Sequence, residues 1–228
     1  MIDLDPQGNG TTGCGVEKHM LDASVYELLL GLKTFEEVVR HSEAGFDVLP
    51  ANRELSGAEV ELVSFADRDL RLKKALSGVI GKYDYILIDC PPSLSMLTLN
   101  ALCFADGVII PMQCEYFALE GLTDLSDPSS VCMETKMRLA HYFDSASDVR
   151  SENHAAATSE RTAKKTFRRK VFDTVIPRNV RLAEAPSYGK PGVTYDRSSK
   201  GAKAYMAFAD EILTRLEGGA SQRKAERR

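Results

Sequence analysis

The sequence lacks the phosphate-binding loop with which nucleotide-binding α/β domains hold their ligand. Neither G-x-x-x-x-G-K-[ST] nor the variant K-G-G-x-G-K-[ST] occurs in its 228 residues. In such a loop, backbone N–H groups wrap the phosphates, and a lysine and a hydroxyl complete the site. The glycines of residues 8–13 come without a lysine. This absence excludes a self-contained phosphate site of the usual kind.

Three further absences narrow the class of protein. No apolar run approaches the roughly 18 residues of a membrane-spanning helix, and the acidic first residues are not typical of a signal peptide. The five cysteines form no C-x-x-C pair, which favours reduced thiols in the cytoplasm over a disulfide framework or a zinc site. The net charge of −4 means that any affinity for DNA must come from a local patch.

The chain can be organised around residues 83–93, where an apolar run ends on a single carboxylate, Asp89. A run without a polar face is typical of a strand buried on both sides in a parallel sheet, and the two prolines that follow cannot continue it. Open α/β sheets bind ligands at the carboxyl ends of such strands. We therefore expect Asp89 to hold the hydration shell of a Mg²⁺ ion; a helix-capping aspartate is the alternative.

Apolar strands alternate with amphipathic helices along most of the chain. This alternation indicates repeated βα units and a parallel sheet with right-handed crossovers, and the length fits one large α/β domain. The predicted strands are residues 1–5, 46–50, 83–89, 107–113 and 173–177. The predicted helices are residues 24–31, 34–40, 96–104 (capped by Ser93) and 198–216, with others starting at 56, 67 and 115.

Three motifs occur in order: MIDLDPQGN at residues 1–9, IDCPPS at residues 88–93 and IPRNVRLAEAPS at residues 176–187. Together they resemble the ParA/Soj chromosome- and plasmid-partitioning ATPases of the deviant Walker-A NTPase group. The resemblance covers residues 1 to about 125 and about 170 to 217. It implies a P-loop NTPase-like fold, a mostly parallel sheet flanked by helices, that binds ATP and Mg²⁺.

The resemblance also implies roles for individual residues. Asp5 would help position the attacking water and Asp3 would contribute to the metal and water network, as phosphoryl transfer requires; plain strand-end carboxylates are the alternative. Arg181 matches a position used for non-specific DNA binding, with an ordinary surface arginine as the alternative. The residues expected to contact the nucleotide are Asn9, Pro91, Pro177, Arg178 and Asn179.

Two stretches depart from the family pattern. Met1 aligns inside the family's second strand, so the expected fold lacks the first strand, the P-loop and the first helix. Four or five buried aliphatic side chains at roughly 1.5–3 kcal/mol each amount to about 10 kcal/mol, comparable with the ~5–15 kcal/mol stability of a whole domain. We therefore expect this polypeptide to fold poorly alone and to bind ATP negligibly.

Residues 126–169 form the second departure, because they have the family's length but a Ser/Ala/Thr-rich, charged composition. We expect this segment of the single domain 1–217 to be poorly ordered, with no assignable strand. Compensating frameshifts or a lineage-specific linker would explain it. Basic residues at 164–170 and on the helix from residue 67 are expected to be solvated rather than to contact phosphates. The tail, residues 218–228, is expected to be disordered and basic.

The expected function is therefore that of a ParA/Soj-like partitioning protein whose ATPase activity is lost. Its expected partners are a ParB-type centromere-binding protein, non-specific DNA and a second copy of the chain, with no membrane, in the nucleoid region of the cytoplasm. The alternatives are a non-enzymatic accessory or decoy subunit, a non-functional gene fragment, and a MinD-like ATPase, against which the polar tail argues.

Overall fold

The structure, a computed structural model, describes residues 1–113, 139–145 and 171–226, with side chains for residues 1–111 and 172–216. The strands are β1 Ile2–Asp3, β2 Arg40–His41, β3 Asp47–Val48, β4 Ile88–Asp89, β5 Val108–Gln113, β6 Leu139–Ser145 and β7 Val171–Pro177. The helices are α1 Asn9–Gly13, α2 Val25–Leu30, α3 Phe35–Val38, α4 Leu55–Glu61, α5 Arg71–Leu76, α6 Met96–Phe104, α7 Val180–Glu184, α8 Gly192–Tyr195 and α9 Lys200–Glu226.

The chain divides into two compact units, of which the first comprises Met1–Asp106 and Glu184–Thr194. Its central strand is β1, which pairs in parallel with β4 on one side and bridges to Leu49, after β3, on the other. The N–H of Leu4 donates to the carbonyl of Asp89 at 2.8 Å, and the N–H of Asp3 donates to that of Leu49 at 3.1 Å. Strands distant in sequence thus meet with their carboxyl ends at one edge.

Helices α2, α4, α5 and α6 cover one face of this small sheet and bury its alternate side chains. Ile2 and Leu4 of the first strand are buried against leucines of these helices. Helix α2 begins where the Ser24 side chain accepts from the N–H of Tyr26, with Glu27 closing a capping box. This reciprocal cap satisfies amides that would otherwise lack partners, and it confirms the helix predicted for residues 24–31.

Two local predictions for the first unit are wrong. Strand β4 has only two residues, and the apolar residues before it are not buried on both sides, since Tyr85 and Leu87 are 57% and 66% exposed. Ile86 and Ile88 pack on the core. Within the part of the chain that the structure describes, only one face of this apolar run is therefore buried, whereas burial of both faces was predicted. Helix α6 is capped by Ser95, not Ser93, and it is held further by the Glu59 carboxylate, which accepts from the N–H of Met96 at 3.0 Å.

The second unit comprises Gly107–Ala183 and Tyr195–Arg228 and contains a parallel sheet in the order β5-β6-β7. Helix α9 packs on β7, where Phe172, Ile176 and Phe208 form a small core. The rings of Phe172 and Phe208 meet edge to face with centroids 4.7 Å apart. Glu211 of α9 accepts hydrogen bonds from the N–H groups of Asp173 and Thr174, so the helix also satisfies backbone donors of the strand.

The structure corrects two expectations for this unit. Leu139–Ser145 forms strand β6 between β5 and β7, although no strand was expected in residues 126–169; the rest of that segment and the helix expected from residue 115 lie outside the described residues. Helix α9 runs to Glu226, beyond its predicted end at residue 216 and through most of the tail expected to be disordered. The single domain 1–217 stays a prediction.

Candidate functional site at the acidic strand ends

The register of the first sheet brings two of the predicted acidic residues together. Asp3 of β1 lies directly opposite Asp89 of β4 in the parallel pair. Asp5 follows β1 by two residues, so all three carboxylates belong to the carboxyl ends of neighbouring strands. Ligands of open α/β sheets bind at such an edge. The structure therefore places Asp3, Asp5 and Asp89 at one edge of the sheet, and their roles there stay predictions.

Asp3 is fully buried, and its carboxylate organises the loop that follows β1. One oxygen accepts from the N–H and the hydroxyl of Thr11 at 2.6 and 2.7 Å, and the other accepts from the N–H of Asp5 at 3.0 Å. The Thr11 hydroxyl oxygen in turn accepts from the N–H of Ala51 at 2.9 Å. Both oxygens of Asp3 are thus engaged by the protein, which favours a positioning role for this side chain.

The loop between β1 and α1 uses its backbone amides internally. The N–H of Gln7 donates to the Asp5 side chain at 2.9 Å, and the N–H of Gly8 donates to the Asp5 carbonyl at 2.8 Å. The N–H groups of Thr11 and Thr12 donate to Asp3 and to the Gly8 carbonyl. A phosphate cradle needs amides that point outward to an anion, so these amides do not supply one.

Gly10 allows the carboxylates of Asp3 and Asp89 to approach the same point. A Cβ atom at Gly10 would lie 2.9 Å from Oδ2 of Asp89 and 3.1 Å from Oδ2 of Asp3. Burial, and then the charges of Asp3 and Asp5, raise the pKa of Asp89 above its usual range. Asp89 is nevertheless accessible to solvent, so screening limits the size of this effect.

The other predicted residues of this unit sit around the same edge. Asn9 is exposed as the first residue of α1, and Pro91 is half-buried two residues after β4. Cys90 lies between Asp89 and Pro91, and burial, with Asp89 and Asp3 as further causes, raises the pKa of its thiol to about 11. The thiol is therefore protonated at neutral pH, as expected of an unreactive cysteine.

Sequence reasoning missed three residues of the site, namely Thr11, Gly10 and Lys18. The lysine Nζ donates to the Gln7 carbonyl at 2.5 Å, and within residues 1–113 no ion pair joins it to Asp5 or Asp89. It therefore braces the loop by binding the backbone. No local pattern marks these residues, because their roles depend on contacts with other segments of the chain.

The remaining predicted residues belong to the second unit. Pro177 ends β7, and Arg178 is exposed next to it. The Asn179 side chain accepts from the N–H of Arg181 at 2.9 Å at the start of α7. The Arg181 guanidinium lies 3.6 Å from the Asp196 carboxylate and remains half exposed. Their roles at a nucleotide or DNA stay predictions.

The residues present fit Mg²⁺ better than they fit a nucleotide. Mg²⁺ prefers oxygen ligands, keeps several waters and needs only one or two carboxylates, and the exposed Asp89 next to Asp5 offers these. The described residues contain no ready-made cluster of three or more His, Cys, Asp or Glu side chains. For ATP the fit is poor, since the amides of Gln7, Gly8, Thr11 and Thr12 are already bonded within the protein and no lysine-containing glycine loop occurs in the sequence.

Parallel strands that end on carboxylates and are covered by helices define an α/β protein with a ligand site at its strand ends. A family profile described as "AAA domain" matches residues 1–139. The Soj sporulation initiation inhibitor of Bacillus subtilis is 44% identical over 216 residues, 93% of this chain and 85% of that protein. ParA of Myxococcus xanthus is 42% identical over 94% of this chain and 77% of its own length. The chain belongs to the ParA/Soj family of partitioning ATPases.

Solved structures agree with this class. A Mycobacterium smegmatis structure described as cobyrinic acid a,c-diamide synthase with ADP and magnesium is 33% identical, with a TM-score of 0.77 over 96% of this chain and 82% of that one. A putative plasmid partition protein of Borrelia burgdorferi bound to AMPPNP has a TM-score of 0.70 over 94% of this chain and 85% of that chain; at 21% identity it supports the fold alone. Among the described residues, no helix is long and apolar enough to span a membrane.

Proposed function

We propose that this protein acts in the partitioning of chromosomes or plasmids, together with DNA and a ParB-type centromere-binding protein. The observation that carries the proposal is the 42–44% identity to proteins named Soj and ParA over nearly the whole chain. The structure described as cobyrinic acid a,c-diamide synthase is only 33% identical. We therefore base the proposal on the Soj and ParA relatives. Location at the nucleoid and homodimer formation are part of the same proposal.

Within this function, we assign different tasks to the three carboxylates. Asp5 is half-buried at the loop and would orient the attacking water, while Asp89 would hold the hydration shell of Mg²⁺, as phosphoryl transfer requires. Magnesium would neutralise charge on the phosphates. Asp3, both of whose oxygens are bonded to the loop, would keep Asp5 in place. Asn9, Pro91, Pro177, Arg178 and Asn179 remain the proposed nucleotide contacts.

We further propose that the 228-residue polypeptide by itself binds ATP weakly and does not hydrolyse it. The carboxylates that would serve a nucleotide are in place, but no lysine-containing glycine loop occurs in the sequence. Four amides of the loop and of α1 that could replace it, those of Gln7, Gly8, Thr11 and Thr12, already donate to Asp3, Asp5 and Gly8. A bound triphosphate would therefore lack its main source of charge-assisted hydrogen bonds.

Isothermal titration calorimetry with ATP and Mg²⁺ tests this proposal, with Bacillus subtilis Soj as the positive control. We expect affinity in the millimolar range or weaker for the 228-residue chain. Micromolar affinity would prove the proposal of an emptied phosphate site wrong, whereas the partitioning role would survive. Failure of the chain to bind both DNA and a ParB-type protein would instead count against the partitioning role.

A second candidate function is that of a non-enzymatic accessory subunit. The exposed Tyr85 and Leu87 of the strand region before Asp89 favour it, because large apolar side chains on a strand are typical of surfaces that another polypeptide covers. Co-purification with a full-length relative would support this candidate if Tyr85→Ser and Leu87→Ser together abolish it. Unchanged co-purification of that double variant would argue against it.

A further inference from the structure

A groove separate from the acidic site lies within the first unit, between the end of α2, the start of α3 and helix α5. It encloses about 490 Å³, which is within the size range of small-molecule sites. Leu28 and Val79 on its wall are buried, and Phe35 is partly buried. We call it the α2–α5 groove, and these three apolar side chains form part of its wall.

Four cations line the α2–α5 groove, and only one carboxylate, Glu36, lines it with them. Lys33, Lys74 and Lys82 have side chains that are 43%, 62% and 62% exposed, so they form the outer part. The fourth cation, Arg71, is mostly shielded. The lining therefore combines apolar side chains with four cations, three of which are exposed lysines paired with surface carboxylates.

Each lysine of the groove is paired with a carboxylate at the protein surface. Glu37 pairs with Lys33 at 2.8 Å, Asp67 pairs with Lys74 at 2.7 Å, and Glu36 lies 3.8 Å from Lys82. Surface pairs of this kind contribute little to stability, because water and salt screen them. A ligand anion can therefore replace or share them at little cost.

Arg71 is the one cation of the groove that is held rigidly. Its Nε donates to the Leu29 carbonyl at 2.8 Å, its Nη1 reaches Asp67 at 3.5 Å, and its guanidinium stacks 4.4 Å from the Phe65 ring centre. Nη2 lies beside Gly31, 3.0 Å from where a Cβ would be. A fixed guanidinium loses little freedom when it binds a carboxylate or phosphate.

We propose that the α2–α5 groove binds a small amphiphilic anion, meaning a carboxylate, sulfonate or phosphate carried on an apolar body. The buried leucine and valine and the partly buried phenylalanine receive the apolar body, and Arg71 with the exposed lysines receives the charge. The site is independent of the carboxylates at Asp3, Asp5 and Asp89. Its ligand would be recognised by charge and shape rather than by a nucleotide base.

Two fluorescent probes that differ in charge test the proposal on the full chain. 8-Anilinonaphthalene-1-sulfonate carries the anion, and N-phenyl-1-naphthylamine is the same body without it. Lys74→Gln should weaken sulfonate binding about threefold and leave the neutral probe unchanged. Lys73→Gln is the matched control, because Lys73 is its neighbour on α5 and does not line the groove. Equal effects of the two substitutions would overturn the proposal.

A second pair of variants tests the apolar part. A Cβ at Gly78, which lines the groove, or at Gly81, which does not, would meet no atom within 4 Å. Gly78→Leu should therefore fill the groove without strain and weaken both probes about tenfold, whereas Gly81→Leu should weaken neither. Circular dichroism confirms that each variant is folded. Unchanged binding in folded Gly78→Leu would refute the site.

Discussion

At the scale of single residues, Thr11 links three segments of the chain that are far apart in sequence. Its N–H and hydroxyl donate to Asp3, and its hydroxyl oxygen accepts from the N–H of Ala51. All these groups are buried, so each bond lost leaves a polar atom without water. Thr11 thus keeps the loop with Asp5 beside the strand ends.

Thr11→Val should lower the free energy of unfolding by about 2 kcal/mol, because a buried carboxylate and a buried N–H both lose a partner. Urea denaturation measures the change. Thr12→Val is the control, since its hydroxyl makes one partly exposed bond of 3.2 Å to the Gly8 carbonyl, and it should cost less than about 0.5 kcal/mol. Equal losses in the two variants would contradict the role given to Thr11.

Asp89→Asn should stabilise the ligand-free chain at neutral pH by up to about 1 kcal/mol, because it removes a charge that Asp3 and Asp5 repel. The raised pKa of Asp89 means that the folded state binds its proton more tightly than the unfolded state. The contribution of Asp89 to the free energy of unfolding therefore decreases as the pH rises from the ordinary pKa of an aspartate through the raised pKa of Asp89 in the folded state.

The gain from Asp89→Asn should accordingly shrink as the pH is lowered through that interval, where wild-type Asp89 becomes protonated. Thermal melting at a series of pH values measures it. Asp84→Asn, at an exposed aspartate before the same strand, is the control for the loss of a surface charge and should leave stability at neutral pH unchanged. A destabilised Asp89→Asn variant at neutral pH would mean that the carboxylate has a stabilising partner.

At the scale of elements, α2 shows how a helix is attached to the core by one face. Leu29 is fully buried, whereas Leu32, just after the helix, is 67% exposed. Leu29→Ala should cost about 2–5 kcal/mol through lost burial and the cavity left behind. Leu32→Ala should cost less than about 0.5 kcal/mol. Chemical denaturation of both variants measures the difference, and similar losses would show that α2 packs differently.

The Glu211 carboxylate of helix α9 accepts hydrogen bonds from the backbone of strand β7. Burial acts to raise the pKa of Glu211, but hydrogen bonds from Thr174 and from the Asp173 N–H, with the charge of Arg215, outweigh it, so the pKa is lowered. The stabilisation is therefore present above the ordinary pKa of a glutamate, and it is lost as the pH falls through the lowered value.

Glu211→Gln should lower the protection of the Asp173 and Thr174 amides against hydrogen exchange about tenfold at neutral pH, since a charged acceptor is replaced by a neutral one. Exchange followed by mass spectrometry or NMR measures it. Asp210→Asn is the neighbouring control and should leave both amides protected. Unchanged exchange in Glu211→Gln would show that these amides do not depend on the carboxylate.

At the scale of the whole molecule, the net charge of −4 means that the proposed DNA binding would have to come from a local basic patch. Arg181→Ala should weaken binding to non-specific duplex DNA at all sequences alike and reduce the salt slope by about 1. Fluorescence anisotropy at several salt concentrations measures both. Arg53→Ala, an exposed arginine of the other unit, is the control, and equal effects would remove Arg181 from the proposed interface.

Much of the architecture could be predicted because it depends on neighbours in sequence. The helix at residues 24–31 and the strand endings at Asp89 and Pro177 follow from local patterns of apolar runs, caps and prolines. The predicted cap at Ser93 is wrong, because contacts with another segment help to decide where α6 begins. Ser95 caps the helix, and Glu59 of α4 accepts from the N–H of Met96. Strand β6 was missed because pairing with β5 and β7 on both sides outweighs its unpromising composition.

The sequence by itself determined the parallel α/β class, the family and the three carboxylates of the site, because apolar periodicity and short motifs carry that information. Only the tertiary structure decided that Asp3 lies opposite Asp89, and that Asp3 is hydrogen-bonded to Thr11 while Asp89 stays accessible. It also decided that the side chains of Tyr85 and Leu87 are exposed. Strand register and burial arise from contacts between distant segments, and no local pattern encodes which segments will meet.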